Sequence, residues 1–259
     1  MRSRISTSAI DLLIVTLATA ALTAVVTSER YSHALAASAY YTVDGVNESA
    51  TLAERFGPRH YSRNAEEWII RDFFNDRRGG TFLDVGANDY RRDSNTYYLE
   101  KELGWSGIAI DAQPAFADGY RLNRPKTRFV ALFAADTAGE SVRFFVPSDN
   151  SLVASASQQF TVRQGAPGTA RQVPTTTLNM VLEQAGIATI DFMSMDIELS
   201  EPKALAGFDI RRYHPALVCI ESHQEVRQQI LDYFTRRSYV VVAKYLRADS
   251  QNLYFAPLN

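Results

Sequence analysis

Cysteine is almost absent. Cys219 is the single thiol in 259 residues, so no internal disulfide can form and the fold does not need an oxidising compartment. It stands inside Ala216-Leu217-Val218-Cys219-Ile220, where a lone thiol reads as a small buried hydrophobe rather than a nucleophile. Net charge is equally scant. Twenty-seven Lys and Arg against 29 Asp and Glu leave −2, which gives no basic face for nucleic-acid phosphates. The pairs Arg77-Arg78, Arg91-Arg92, Arg211-Arg212 and Arg236-Arg237 lie scattered among acids and read as solvated faces. No internal repeat or low-complexity block occurs. Hydrophobic residues at 46% and charged residues at 22% are the balance of an ordinary globular protein, and this length suits one sizeable domain with an extension.

Long apolar runs are also rare. The exception is Leu12 to Val26 (LLIVTLATAALTAVV), preceded by Arg2 and Arg4, headed by Asp11 and diluted by Thr16, Thr19 and Thr23. Extended to Ser28 it falls slightly short of the about 20 residues that span a bilayer. Ala37-Ser38-Ala39 resembles a signal-peptidase site, but it lies well beyond the run, across Glu29-Arg30. A single-pass anchor is the preferred reading, ahead of a signal peptide and of a core helix. Residues 1–35 are therefore assigned to a membrane anchor or signal segment. Residues 36–63 are read as a linker, and 64–259 as the folded domain.

Within the domain, short apolar runs alternate with helical stripes. Glu66 to Phe74 places Trp68, Ile69, Ile70, Phe73 and Phe74 on one face of a helix. Thr81 to Val85 suits a strand buried on both sides, followed by a tight turn at Gly86-Ala87-Asn88. A helix opens around Ser94-Asn95-Thr96 and stops at Gly104. Further strands are expected at Gly107–Asp111, Arg128–Phe133, Ile190–Met195, Ala216–Ile220, Tyr239–Val242 and Asn252–Ala256, with helices between them. Ser141–Val146 alternates weakly, as an edge strand or hairpin would. The polar stretch Ser148–Thr175 reads as a long loop suited to a substrate lid. This alternation predicts a doubly wound α/β fold with a mostly parallel sheet.

In such sheets ligands bind beyond the carboxyl ends of the strands, where strand order reverses. Acids mark those ends: Asp84, Asp111, Asp136, then Asp196 with Glu198, then Glu221 with His223. Asp111, some 25 residues after the Gly86 turn, is placed to bind ribose hydroxyls. A dinucleotide site wants G-x-G-x-x-G to approach a pyrophosphate. Here the turn reads D-V-G-A-N-D-Y, whose acids suit the positive sulfonium of S-adenosylmethionine better than a pyrophosphate.

FLDVGAND, SNTYYLEKELGWSGIAID and TTTLNMVLEQAGIATIDFMSMDIELSEPKAL together resemble the FkbM-type methyltransferases, over about Tyr61 to Ala256. The resemblance implies a Rossmann-like, seven-stranded class I methyltransferase sheet. It also implies a cofactor pocket at Asp84, Gly86, Ala87 and Asn88, with Asp111 on the ribose and Asp136 near the adenine. The implied reaction is O-methylation of a hydroxyl in a sugar, lipid or secondary metabolite. Two departures stand out: Leu199 where the family usually has glycine, and Asp89-Tyr90-Arg91-Arg92 where a second glycine is common.

Methyl transfer to oxygen needs near-attack positioning and a base. Asp196, Glu198 and His223 are the candidate bases, with Glu201 and Glu221 handling the acceptor. Asp196, Glu198 and Glu221 could also hold Mg²⁺, but a metal is not expected. His60, His214 and Trp105 read as structural, and His33 lies outside the domain. Because S-adenosylmethionine is held inside cells, the domain is expected on the cytoplasmic side, although Arg2 and Arg4 argue for the opposite orientation. A membrane-tethered nucleotide-binding protein without activity and an NAD-dependent oxidoreductase are the alternative readings.

Overall fold

The computed structural model describes residues 49–148, 151–165 and 168–258. The apolar run Leu12–Val26 lies outside the described residues, and among those described no helix is long and apolar enough to cross a membrane. The chain opens with α1 (Ser49–Phe56) and α2 (Glu66–Phe74). Leu52 of α1 packs into the core beside Ile69 and Trp105, so the folded domain reaches back into the segment expected to be a linker.

Seven strands form the main sheet: β1 (Thr81–Val85), β2 (Ser106–Ile110), β3 (Thr127–Val130), β7 (Phe192–Met195), β8 (Leu217–Glu221), β9 (Tyr239–Val241) and β10 (Asn252–Pro257). Their spatial order is β3-β2-β1-β7-β8-β10-β9. All neighbours pair in parallel except β10, which runs antiparallel to β8 and β9. The mostly parallel seven-stranded sheet expected from the sequence is therefore present.

Side chains alternate across each strand, so one strand feeds two cores. Leu83 and Val85 join Ile108, Met193, Ile220 and Phe234 on one face. Phe82, Phe192, Leu217 and Cys219 meet Ile69 and Trp105 on the other. Both Cys219 and Trp105 are buried, and the Trp105 indole N–H donates to the Arg77 carbonyl at 2.8 Å. The helices that follow the strands cover these faces: α3 (Tyr97–Lys101), α4 (Ala117–Asn123), α6 (Leu178–Gln184), α7 (Glu201–Ala206), α8 (Ile210–Tyr213) and α9 (Arg227–Thr235).

Two expectations are corrected. The third strand does not run on to Phe133. It ends at Val130, and Phe133–Ala134 forms β4 of a second, three-stranded sheet. The stretch expected to be a loop holds α5 (Gln158–Arg163) and β6 (Thr169–Thr176), and β6 pairs antiparallel with β5 (Ser141–Val146) and parallel with β4. Ser157 caps α5 by accepting from the Phe160 N–H at 3.3 Å.

Candidate active site

The strand order reverses between β1 and β7, and the carboxyl ends of β1, β2, β7 and β8 open there on a cleft. Gly86 sits at the reversal with φ +83°, and a Cβ at this position would lie 1.7 Å from the Asp196 carbonyl oxygen. The backbones after β1 and β7 thus touch, and only glycine permits both that approach and that φ.

One half of the cleft is a cradle for a nucleoside. Asn88, itself left-handed at φ +47°, donates its N–H to Asp111 Oδ2 at 2.9 Å, and Gln113 N–H donates to Oδ1 at 2.8 Å. The Gln113 side chain also hydrogen-bonds this carboxylate, whose remaining lone pairs are left for a ribose hydroxyl. The Asn88 side-chain oxygen is buried with no partner, at the cleft wall. The wall opposite is apolar, made by Leu132, Phe133, Ala134 and Phe144, as an adenine face requires. Burial pushes the Asp111 carboxyl up to about 6, against its two N–H bonds.

Asp84 and Ala87 hold this cradle from behind. The Asp84 side chain is buried, accepts from Thr96 Oγ1 at 2.7 Å and is pushed up to about 6 by burial. The Ala87 carbonyl accepts from the Tyr120 hydroxyl at 3.1 Å. Thr96 in turn belongs to a buried network. Arg124 Nε donates to Glu100 Oε2 at 2.6 Å, while the guanidinium also reaches the Tyr90 and Thr96 carbonyls. Asp136, expected near the adenine, does not line the cleft: its side chain is about half exposed and 3.8 Å from Lys203 Nζ. The chain has already left β3 for the second sheet, so Phe133 and Ala134 take the place at the cleft.

The other half gathers acids. Asp196 lies at the cleft floor, open on one side. Glu198 and Glu221 are mostly buried, and His223 Nε2 lies 3.1 Å from an oxygen of each. Burial, then Glu221 and Glu198, hold the Asp196 carboxyl well above the usual range. Burial and Glu221 push Glu198 up to about 8. Contact with Glu221 outweighs burial at His223 and raises it to about 9. Glu198 and His223 are thus both raised, and His223 is cationic at neutral pH. Glu201, expected to face the acceptor, is instead fully buried at the start of α7 and accepts from the Ile197 N–H at 3.0 Å. It braces the turn, and burial pushes it up to about 7.

That turn bears on the glycine that the FkbM resemblance leads one to expect at position 199. Glu198 and Leu199 both adopt left-handed backbone, at φ +52° and +76°. Leu199 occupies a conformation that glycine reaches without strain, and its side chain packs on the core.

The sequence reading missed several groups. Ser155 Oγ donates to the Glu198 carbonyl at 2.7 Å, and the Phe160 ring stands edge-on to His223 at 5.2 Å. Both come from the stretch expected to be a loop. Arg63, Asp93, Asn95, Gln251 and Asn252 line a polar pocket that shares Asp196, Glu198 and Glu221. Of these only Asn95 carried a signal, as part of the S-N-T motif, and its amide donates to Ser194 Oγ at 2.9 Å.

A mostly parallel sheet with an acid on the second strand tip, a glycine at the strand reversal and a nucleoside cradle beside it defines the class: a Rossmann-like methyltransferase dependent on S-adenosylmethionine. The methyltransferase FkbM domain model matches residues 84–241, more than half of the chain, and the chain belongs to that family. No curated protein matches it in sequence. Among solved structures it is similar to a TehB-like SAM-dependent methyltransferase from Corynebacterium glutamicum, with 16% identity, 81% of this chain and 97% of that one covered, and a TM-score of 0.43. An O-methyltransferase from Bacillus cereus in complex with SAH gives 11% identity, coverage of 86% and 97%, and a TM-score of 0.41. Likenesses this slight carry neither substrate nor mechanism across.

Proposed function

We propose that this chain O-methylates a hydroxyl of a polar, polyhydroxylated acceptor, such as a sugar or the sugar part of a lipid or secondary metabolite. The observation that carries this reading is the convergence of Asp196, Glu198, Glu221 and His223 beside the Gly86 turn. S-adenosylmethionine, when bound, supplies a methyl group on a positively charged sulfur. Asp111, Asn88 and Gly86 would hold it, and the apolar wall from Leu132 to Ala134 would exclude water from its base.

The protein must then orient the acceptor and take its proton. His223 carries a proton at neutral pH, so the base role falls to a carboxylate. Glu198 suits it once ionised: a carboxyl raised to about 8 is a stronger base than an ordinary one, and its ionised share grows as pH rises towards that value. His223, held between Glu198 and Glu221, fixes the orientation of both. The pocket lined by Arg63, Asp93, Asn95, Gln251 and Asn252 offers hydrogen bonds rather than a greasy groove, which favours a hydroxyl-rich acceptor over an acyl chain. The inactive reading gains nothing from Leu199, because the acids converge around it.

The test is label transfer from methyl-labelled S-adenosylmethionine to a panel of glycosides, glycolipids, phenols and amines. Label on sugar oxygen is expected; label on nitrogen alone would overturn the reading. The proposal includes an anchor at Leu12–Ser28 with the domain on the cytoplasmic side, tested by sedimentation with membranes and protease protection. Release of the intact chain into the soluble fraction would contradict the anchor.

A further inference from the structure

We propose that Glu198, Glu221 and His223 form a binding site for a divalent transition-metal cation, of the Mn²⁺ or Zn²⁺ kind. One carboxylate oxygen from each glutamate and one ring nitrogen lie within 4.8 Å of one another. His223 Nε2 is 3.1 Å from Glu198 Oε2 and 3.1 Å from Glu221 Oε2. A cation bonded to such donors at about 2.0–2.2 Å holds neighbouring donors roughly 3 Å apart. The spacing is that of a coordination shell as much as of a hydrogen bond.

Hydrogen bonding alone leaves the cluster incomplete. A single Nε2–H lies equally near Glu198 Oε2 and Glu221 Oε2 and cannot donate fully to both, and Glu221 Oε2 is buried. Glu201 supplies an independent sign. It is 0% exposed, its Oε2 has no partner, and its charge interacts with Glu221 and His223. A buried carboxylate oxygen within the electrostatic reach of such a cluster costs stability unless positive charge lies nearby. Among the described residues, no Lys or Arg forms an ion pair with Asp196, Glu198, Glu201 or Glu221, and His223 is the one basic partner they have. A dication satisfies Glu221 Oε2 and offsets the acids together.

The donor set selects the metal. Two carboxylates would suit Mg²⁺ or Ca²⁺, but an imidazole donor favours Mn²⁺, Fe²⁺ or Zn²⁺. Asp196, one of the three oxygen donors singled out for Mg²⁺ by sequence, lies outside the converging set. Its carboxyl lies at the cleft floor beside the site, next to Glu221. Binding of the cation stands apart from the methyltransferase reading. Its use, polarising an acceptor hydroxyl so that its proton leaves more readily, rests on that reading; with the cation bound Glu198 serves as a ligand and the proton passes to Asp196 beside it.

The test is calorimetric titration of the full chain, stripped with chelator, with MnCl₂ and with ZnCl₂, and separately with S-adenosylhomocysteine. One cation per chain is expected. Glu221→Gln and His223→Asn should each weaken it ~10-fold or more while leaving S-adenosylhomocysteine binding in place, which shows that the fold survives. Wild-type protein that binds S-adenosylhomocysteine but neither cation would overturn the site, as would variants that bind metal as well as wild type. Metal binding without S-adenosylhomocysteine binding would support the site and count against the methyltransferase reading.

Discussion

The two halves of the cleft meet at Gly86 yet are built on opposite principles. On the nucleoside side each buried charge has a partner, and Asn88 Oδ1 is left open at the cleft wall: Arg124 faces Glu100, Asp84 takes the Thr96 hydroxyl, and Asp111 takes two backbone N–H groups. On the acceptor side, Glu198 and Glu221 share one imidazole with Asp196 and Glu201 crowded beside them, and Glu201 keeps a buried oxygen without a hydrogen bond. A satisfied network makes a rigid platform. An unsatisfied one stores the chemistry, because its protons and vacant lone pairs await a ligand.

The contrast can be broken from either side. Glu198→Gln removes the proposed base and should lower methyl transfer by about 10²–10⁴-fold, with S-adenosylhomocysteine affinity unchanged in calorimetry. A loss smaller than about tenfold would move the base elsewhere in the cluster. Arg124→Met strands Glu100 inside the protein, and should cost about 3–5 kcal/mol in urea unfolding. A cost below about 1 kcal/mol would mean that the platform does not depend on this pair.

The crowded acids also set a pH dependence. A carboxyl raised by folding binds more protons in the native state than in the unfolded chain, so stability falls as pH rises through that interval. Glu201, Glu198 and His223, raised to about 7, 8 and 9, all act in this direction. Melting temperature should therefore drop between pH 6 and pH 9, and less so in Glu198→Gln. An unchanged or rising melting temperature would contradict the crowding. The smallest effect is expected for Leu199→Gly, where relief of a left-handed residue, about 1–2 kcal/mol, is offset by lost packing. Stability within about 1 kcal/mol of wild type is the expected result in urea unfolding, and a large loss would show that the Leu199 side chain is needed there.

The main sheet was legible because each of its strands is a short apolar run closed by a local signal, such as Gly86 after Val85 or Asp111 after Ile110. The acids at the tips were legible for the same reason. What escaped depends on distant pairing. Most of β6 (TARQVPTT) is exposed, so it shows no apolar alternation and reads as loop until β5 is placed beside it. Once the second sheet forms, Asp136 is carried off the cleft, and Ser155 and Phe160 are brought onto it. Glu201 looks like an exposed acid at a helix start, and only the tight left-handed turn at Glu198 and Leu199 folds it inward.

The central claim is that the satisfied half binds S-adenosylmethionine through Asp111. Calorimetric titration of wild type and Asp111→Ala with S-adenosylmethionine, S-adenosylhomocysteine and NAD tests it directly. Wild type should bind both sulfur nucleotides and not NAD, and the variant should lose about 1.5–3 kcal/mol of affinity, the usual worth of hydrogen bonds to a charged group. Binding of NAD in preference to the sulfur nucleotides, or unchanged affinity in a folded Asp111→Ala protein, would contradict the account.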